Sequence, residues 1–478
     1  MATYDFNLVV IGAGSGGLVT AYIAAAVKAK VALIEKHKMG GDCLNTGCVP
    51  SKALIKSARL LSQIKKHKKY GINEASVSFD FADVMERVQR VIKTIEPHDS
   101  VERFTSLGVD CFQGAARILS PYEVEVNGKV ITTANIVIAT GAGPFIPPLP
   151  GLDGINFLHT DNLWDIRKLP KRLVVLGGGP IGSELAQSFA RFGAEVTQVE
   201  MGPSILGRED EDVIALVQSF FELDGVRLKT NTQAKEVVVK EGEKFLVVVG
   251  KEGEERLPFD EILVAVGRRA HVSGFGAEEL GITLSERQTI SVDPFMRTNF
   301  SNIYACGDVA GPYQFTHTAA HQAWYCAVNA LFAPLKKFKV DYSVIPWCTY
   351  TDPEVARVGL NEKEAKEKNI PYEVVTYGID DLDRAITDEE AHGLVKVLTV
   401  PGKDRILGVT ICGEHAGDLI AEFVLAMKHG LGLNKILGTI HIYPTLAEAN
   451  KFAAGMWKKS HAPEGLLKLI EKYHSWRR

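Results

Sequence analysis

The feature that most constrains this chain is a unit of strand, glycine turn, helix, strand and acid that occurs twice. Leu8 to Ile11 is a short apolar run, Gly12-Ala-Gly-Ser-Gly-Gly17 follows it, and an apolar helical stretch extends from Leu18 to Val27. The next strand, Val31 to Ile34, ends in Glu35. The same grammar returns at Leu173 to Leu176, Gly177-Gly-Gly-Pro-Ile-Gly182, Ser183 to Phe192 and Glu195 to Val199, ending in Glu200. A lone GxGxxG is weak evidence, but set between strand and helix with an acid about twenty residues on it is a dinucleotide fingerprint. The first glycine makes the turn, the second lets backbone approach a pyrophosphate, and the third lets helix and strand pack. The acid accepts from a ribose hydroxyl. Two copies of one nucleotide-binding unit are therefore expected.

Each copy continues in the same way. Residues 122 to 133 alternate around Asn127-Gly128, a two-residue hairpin signal, and Ile136 to Ala139 is a strand running into Thr140-Gly141. In the second copy Phe245 to Val249 marks a hairpin, and Ile262 to Val266 ends in Gly267. Four prolines between Pro144 and Pro150 read as a linker. Phe6 to Val27 carries no charge, yet its glycines and Asp5 ahead of it argue against a signal or membrane segment. With 478 residues, 46% hydrophobic and 23% charged, the composition is that of an ordinary globular protein of about three domains. A net charge of -4 argues against nucleic-acid binding. Seven cysteines in so long a chain do not make a secreted disulfide framework, so a reducing compartment is expected.

Between the first copy's acid and its hairpin lies Gly40-Gly-Asp-Cys-Leu-Asn-Thr-Gly-Cys-Val-Pro-Ser-Lys52. Cys43 and Cys48 stand just before an apolar helical pattern (Leu54, Ala58, Leu61) that Pro50 can open. A helix N-terminus lowers a thiol's pKa and favours the thiolate that exchange chemistry needs. A zinc site would show a second Cys or His pair at ligand spacing, and space-filling thiols would need neither the flanking glycines nor the Pro-Ser-Lys. The pair reads as redox-active.

The whole thirteen-residue string resembles the active-site signature of the flavoprotein disulfide reductases, the family of dihydrolipoamide dehydrogenase, glutathione reductase and mercuric reductase. The resemblance covers nearly the whole chain. It implies an α/β fold with two Rossmann-like dinucleotide-binding domains, for FAD and NAD(P), plus a C-terminal α+β dimerisation domain. The implied bounds are 1–147 with 268–338 for FAD, 148–267 for NAD(P) and 339–478 for dimerisation. By the same resemblance, electrons pass from nicotinamide through FAD to a Cys43–Cys48 disulfide, with Cys48 nearer the flavin and Cys43 the outer thiol. Lys52 takes the place of a lysine beside the flavin that pairs with a glutamate of the second glycine motif, here Glu184. Thr298 to Asp308 resembles the second FAD motif, so Asp308 takes the role of bonding the ribityl chain.

The cofactor-binding positions this implies are Gly12, Gly14, Gly17, Glu35, Lys52, Ala115, Thr140, Gly141, Asp308, Phe315, Thr316, His317, Gly177, Gly179, Ile181, Gly182, Glu200, Gly267 and Arg268. Glu200 favours NADH, because an acid there bonds ribose hydroxyls and repels a 2'-phosphate. Arg208 lies where phosphate-binding arginines occur in NADPH users, although Gly202 and Pro203 supply no basic partner. His317 and His321 have one-turn spacing, but no third metal ligand is evident and no metal is expected. Thr351 to Gly359 and the alternation from Leu394 to Leu398 resemble the interface domain, which builds a two-fold dimer whose active sites are completed by the partner's C-terminal segment.

That segment departs from the best-known members. They carry His-Pro-Thr-x-x-x-Glu or a near variant; here the string is His441-Ile-Tyr-Pro-Thr-Leu-Ala-Glu448, and Tyr443 precedes Pro444. Three readings stand open. Tyr443 acts as proton donor, since a phenol near pKa 10 is a poor base; His441 faces the same side of an extended backbone and substitutes for the usual base; or Thr445 and Glu448 form a capping box. Tyrosine at this place is similar to mercuric reductases and to soluble transhydrogenases. No cysteine follows Cys412 and no metal-carrier domain precedes the first glycine turn, so efficient Hg(II) reduction is not expected. The amphipathic tail from Gly465 to Arg478 suits dimer packing better than a membrane surface. The expectation is a cytoplasmic, homodimeric, FAD-containing NAD(P)H:disulfide oxidoreductase with a small disulfide, thiol-reactive or quinone-type acceptor. A diaphorase or transhydrogenase that dispenses with the cysteines, and a flavin-binding redox sensor without turnover, are the alternatives.

Overall fold

The structure, a computed structural model, describes residues 3–478 and divides into two compact units. The first comprises residues 3–62, 77–201 and 231–341; the second comprises 63–76, 202–230 and 342–478. Both glycine-turn copies lie in the first unit.

The first copy builds a parallel sheet in the order Ile303–Ala305, Ile136–Ile138, Leu8–Ile11, Val31–Glu35, Val109–Gln113. Leu8, Val9 and Val10 are fully buried, which explains a near-continuous apolar run where an alternating one would mark a half-exposed strand. The helix after the turn spans Ser15–Ala26, starting three residues earlier than its apolar pattern suggested because the turn's own Ser-Gly-Gly forms the first helical turn. The second copy places Glu195–Val199, Arg172–Leu176 and Glu261–Val264 side by side, again parallel, with helix Pro180–Phe192 after the turn. Each copy carries a three-stranded antiparallel sheet. In the first, Glu123–Val126 and Lys129–Thr132 flank Asn127 and Gly128, both at positive φ (53° and 75°), which suits the tight two-residue turn the sequence indicated. In the second, Gln233–Lys240, Glu243–Gly250 and Gly253–Phe259 pair in that order.

The two turns are built alike. Gly12 and Gly177 have φ of +101° and +113°, and a Cβ on either would lie 2.4 Å from a carbonyl oxygen, of Ala139 and Ala265 respectively. A Cβ on Gly17 or Gly182 would sit 1.7 or 2.3 Å from the carbonyl oxygen of the first glycine. Glu35 Oε2 accepts from the Ala13 N–H at 2.7 Å, and Glu200 Oε2 accepts from the Gly178 N–H at 2.6 Å. The terminal acids thus hold the turns in shape.

The second unit is organised on an antiparallel sheet in the order Pro346–Thr349, Glu354–Gly359, Ile406–Gly413, Leu394–Thr399, Glu373–Gly378. Helices Ala421–Lys428 and Glu448–Ser460 contribute Phe423, Ala449, Ala453 and Trp457 to its core. Two cations are buried in this unit. Lys396, 3% exposed in its side chain, reaches Asp210 at 3.3 Å, Asp212 at 2.6 Å and Glu362 at 3.1 Å. Arg357, 1% exposed, pairs with Glu364 at 2.7 Å and Glu209 at 3.4 Å, and lies over the Trp347 ring at 4.2 Å. Burial pushes the Glu209 carboxyl above its ordinary range, with Arg357 as the opposing charge. Among the described residues no helix is long and apolar enough to cross a membrane.

Removing one partner of a buried pair leaves the other charge uncompensated. Arg357→Met is therefore expected to lower stability by about 3–5 kcal/mol, measured by denaturant unfolding, whereas Lys235→Met, which breaks an exposed pair with Glu254, should leave the unfolding midpoint nearly where it was.

Candidate active site

Cys43 sits in the short helix Gly41–Asn45, and Cys48 opens the helix Cys48–Lys65. The loop's shape depends on its two leading glycines, at φ +85° and +57°. A Cβ on Gly41 would lie 2.6 Å from the Gly14 Cα, so the cysteine loop is pressed against the first nucleotide turn. Gly40 is equally closed, its Cβ position 2.4 Å from Leu44. The Trp164 indole N–H donates to the Thr46 carbonyl at 2.9 Å and holds the far side of the loop.

Both cysteines are free thiols in this structure. Their side chains are hydrogen-bonded to each other. That bond, reinforced by burial, raises the Cys43 pKa. Cys48 is held down to about 6, first by the bond from Cys43 and then by Thr316 and by the positive charge of Lys52, against the opposing effects of burial and Asp42. The Cys48 Sγ lies 3.4 Å from Thr316 Oγ1, on the first residue of helix Thr316–Phe332. Cys48, at the helix N-terminus, is thus the member pushed toward thiolate.

Lys52 Nζ donates to Glu184 Oε2 at 2.8 Å. These two residues come from the cysteine helix and from the helix of the second glycine turn, 132 positions apart, and Glu184 is 7% exposed in its side chain. Thr140 donates its hydroxyl to the His271 carbonyl at 2.7 Å, Gly141 and Gly267 adopt positive φ, and Phe315 stacks on His317 with ring centroids 5.3 Å apart. Ala115 is exposed. The His321 imidazole meets the Asp341 carbonyl at 2.9 Å.

One connection had no sequence signal. Arg268 Nη2 donates to Asp42 Oδ2 at 2.5 Å and to the Ala142 carbonyl at 2.8 Å, while its Nε lies 3.6 Å from Asp308 Oδ2. Asp42, next to Cys43, is thereby tied through Arg268 to Asp308, whose carboxyl burial pushes above its usual range with Arg268 opposing. Asp42 and Arg268 are 226 positions apart, beyond the reach of any local pattern. Cys306 and Cys326, also distant in sequence, meet by a hydrogen bond in the core.

The residues of the C-terminal string lie in the second unit and take different partners. His441 is inserted between the Thr439 carbonyl (3.0 Å) and Glu422 (2.9 Å), its side chain 6% exposed. Tyr443 is 67% exposed, and its hydroxyl donates to Asp383 at 3.0 Å, a bond that raises the phenol's pKa. Only half of a capping box forms: Glu448 accepts from the Thr445 N–H at 3.4 Å, but the Thr445 hydroxyl turns back to the Ile442 carbonyl at 2.7 Å. Arg208 is exposed, its carbonyl accepting from Asn361 at 2.9 Å.

Residues 6–323 match the pyridine nucleotide-disulphide oxidoreductase family, and residues 345–454 match its dimerisation domain. The chain belongs to this family. FAD and a pyridine nucleotide are its cofactors, and the dimerisation domain supports a homodimer. Among curated relatives, dihydrolipoyl dehydrogenase of Thermus scotoductus is 36% identical, covering 95% of this chain and 97% of its own. Dihydrolipoyl dehydrogenase of Chlamydia muridarum is 34% identical over 93% and 95%, and mercuric reductase of Bacillus cereus 32% over 94% and 71%. Among solved structures, the HOCl-induced flavoprotein disulfide reductase RclA from Escherichia coli superposes with a TM-score of 0.84 at 27% identity, over 94% of this chain and 99% of that one. LpdA from Mycobacterium tuberculosis gives 0.86 at 25% identity over the same shares. This disulfide oxidoreductase has room for its cofactors. A Cβ on Gly14 would meet nothing closer than 3.8 Å, and one on Gly179 nothing within 4 Å, so the mouths of both turns are open for a pyrophosphate above a helix N-terminus.

Thiolate grows as pH rises through a thiol's pKa, so alkylation of Cys48 in the reduced enzyme is expected to reach half its maximal rate near pH 6. At pH 7 the group should be mostly thiolate, against a few per cent for an ordinary cysteine. Lys52→Met should move the inflection upward, followed by iodoacetamide modification and mass spectrometry.

Proposed function

We propose that the protein is an NADH-dependent, FAD-containing disulfide reductase that exchanges electrons with a small disulfide or thiol-reactive acceptor through Cys43 and Cys48. The observation that carries this reading is the placement of the two free thiols: Cys48 opens a helix 3.4 Å from Thr316 and one turn before Lys52, with Cys43 hydrogen-bonded to it. FAD, when bound, supplies the two-electron chemistry that links a reduced nicotinamide to a disulfide. Residues 1–147 with 268–338 would hold FAD, 148–267 the nucleotide, and 339–478 would form the dimer interface. Gly12, Gly14, Gly17, Glu35 and Asp308 serve the first cofactor in this reading, and Gly177, Gly179, Gly182 and Glu200 the second.

The chain's own groups then divide the work. Two electrons and one proton convert the Cys43–Cys48 disulfide to a Cys48 thiolate and a Cys43 thiol. Cys48 withdraws the Cys43 proton as Cys43 attacks one sulfur of the acceptor and the acceptor's S–S bond breaks; the departing sulfur takes a proton from the partner subunit's Tyr443, which solvent then reprotonates. Cys48 then attacks Cys43 in the mixed disulfide, re-forming the pair and releasing the second thiol with the proton it had withdrawn. Tyr443 is assigned the donor role because its hydroxyl, bonded to Asp383, carries its proton at neutral pH and so is no base. His441 serves Tyr443's segment by anchoring it to Glu422. Glu200 supports NADH over NADPH because its carboxylate already stands on the turn N–H where a 2'-phosphate would approach.

An anaerobic titration of the purified holoenzyme tests the reading. NADH is expected to produce a long-wavelength charge-transfer band after two electrons, which Cys48→Ser abolishes and Cys43→Ser displays without reductant. Simple bleaching with no band in the intact enzyme would favour a diaphorase or transhydrogenase instead. NADH should exceed NADPH in kcat/KM by at least about tenfold. Tyr443→Phe is expected to slow thiol–disulfide exchange by about 10²-fold or more while leaving reduction by NADH unchanged in stopped-flow traces.

A further inference from the structure

A second group of chemistry-bearing side chains lies in the second unit, and the proposed electron path makes no use of it. Glu390 and His392 occupy the stretch between helix Asp383–Thr387 and strand Leu394–Thr399, and Asp352 sits in the turn between strands Pro346–Thr349 and Glu354–Gly359. One ligand atom from each of the three lies within 4.8 Å of the other two. His392 Nε2 is 3.4 Å from Glu390 Oε2, and their side chains are only 20% and 11% exposed. The His392 Nε2 atom is itself fully buried and has no hydrogen-bond partner. A buried ring nitrogen in this state has lost its water without a replacement, a cost that a bound ligand relieves.

The ring is held in place. His392 stacks on Phe220 with centroids 4.5 Å apart and an interplanar angle of 37°, and the His392 backbone N–H donates to the Glu390 carbonyl at 2.8 Å. The short turn between the two residues therefore fixes imidazole and carboxylate on the same side. Around them, Glu414 adds a further carboxylate facing Glu390, while Lys66 and Lys69 bring positive charge toward it.

We propose that Asp352, Glu390 and His392 form a binding site for a divalent transition-metal ion of the zinc type. One imidazole and two carboxylates are ligands that zinc accepts at about 2.0–2.2 Å, and roughly 3.4 Å separates neighbouring ligands around a tetrahedral ion of that size. The His392–Glu390 distance already has that value; Asp352 needs only a side-chain adjustment to complete the face. The dication balances the two carboxylates and occupies the orphaned nitrogen. Three protein ligands leave one coordination position for water.

The test uses the oxidised holoenzyme, in which the Cys43–Cys48 disulfide cannot compete for metal. After chelator treatment, equilibrium dialysis against zinc chloride is expected to give one zinc per chain. His392→Ala and Glu390→Gln should each weaken it by at least about tenfold, the lower end of what loss of a mere supporting hydrogen bond costs a metal site. His415→Ala, an exposed histidine outside the trio, should bind as the parent does. X-ray absorption at the zinc edge, which needs no variant, should show nitrogen and oxygen neighbours including one imidazole. Absence of stoichiometric zinc, equal binding by both ligand variants, or sulfur in the coordination shell would each overturn the proposal.

Discussion

The ion pair between Lys52 and Glu184 is the interaction on which the site depends. It joins the cysteine helix to the helix of the second glycine turn at 2.8 Å, and its carboxylate is almost wholly withdrawn from water. A carboxylate that buried requires a charged partner, so the two helices cannot separate without exposing or stranding it. The same lysine brings the positive charge that favours thiolate at Cys48, one helical turn earlier on the same helix. Packing and chemistry are served by one ammonium group.

Around that pair the backbone is used as closely as the side chains. The first and third glycines of both turns leave no room for a Cβ, and Gly41 closes the cysteine loop onto Gly14. The loop is fixed from three directions: by the first nucleotide turn, by the Trp164 N–H on the Thr46 carbonyl, and by Arg268 on Asp42. Such fixing matters because it holds the two sulfurs within hydrogen-bond reach of each other and Cys48 beside Thr316.

The second unit relies on buried charge to a greater degree. Arg357 and Lys396 thread the antiparallel sheet with ion pairs to the 202–230 and 360-region segments, so acids from several stretches converge on two cations. Near the C-terminus, His441 and Tyr443 show how little sequence proximity determines partners. Two residues apart, one is inserted against Glu422 and the other stands in solvent with Asp383.

The sequence by itself determined what local chemistry can encode. Both glycine turns, their strands and acids, the Asn127-Gly128 hairpin and the Cys43–Cys48 pair were legible because each is a short pattern whose backbone admits few alternatives, and the family resemblance joined Lys52 to Glu184. Tertiary structure alone decided the rest. The bridge from Asp42 through Arg268 to Asp308, the meeting of Cys306 with Cys326, the approach of Thr316 to Cys48, and the gathering of Asp352, Glu390 and His392 all join residues whose separation in the chain carries no periodic signal. Hydrogen bonds and charge act over a few ångströms of space, and only folding sets which distant side chains come within that range.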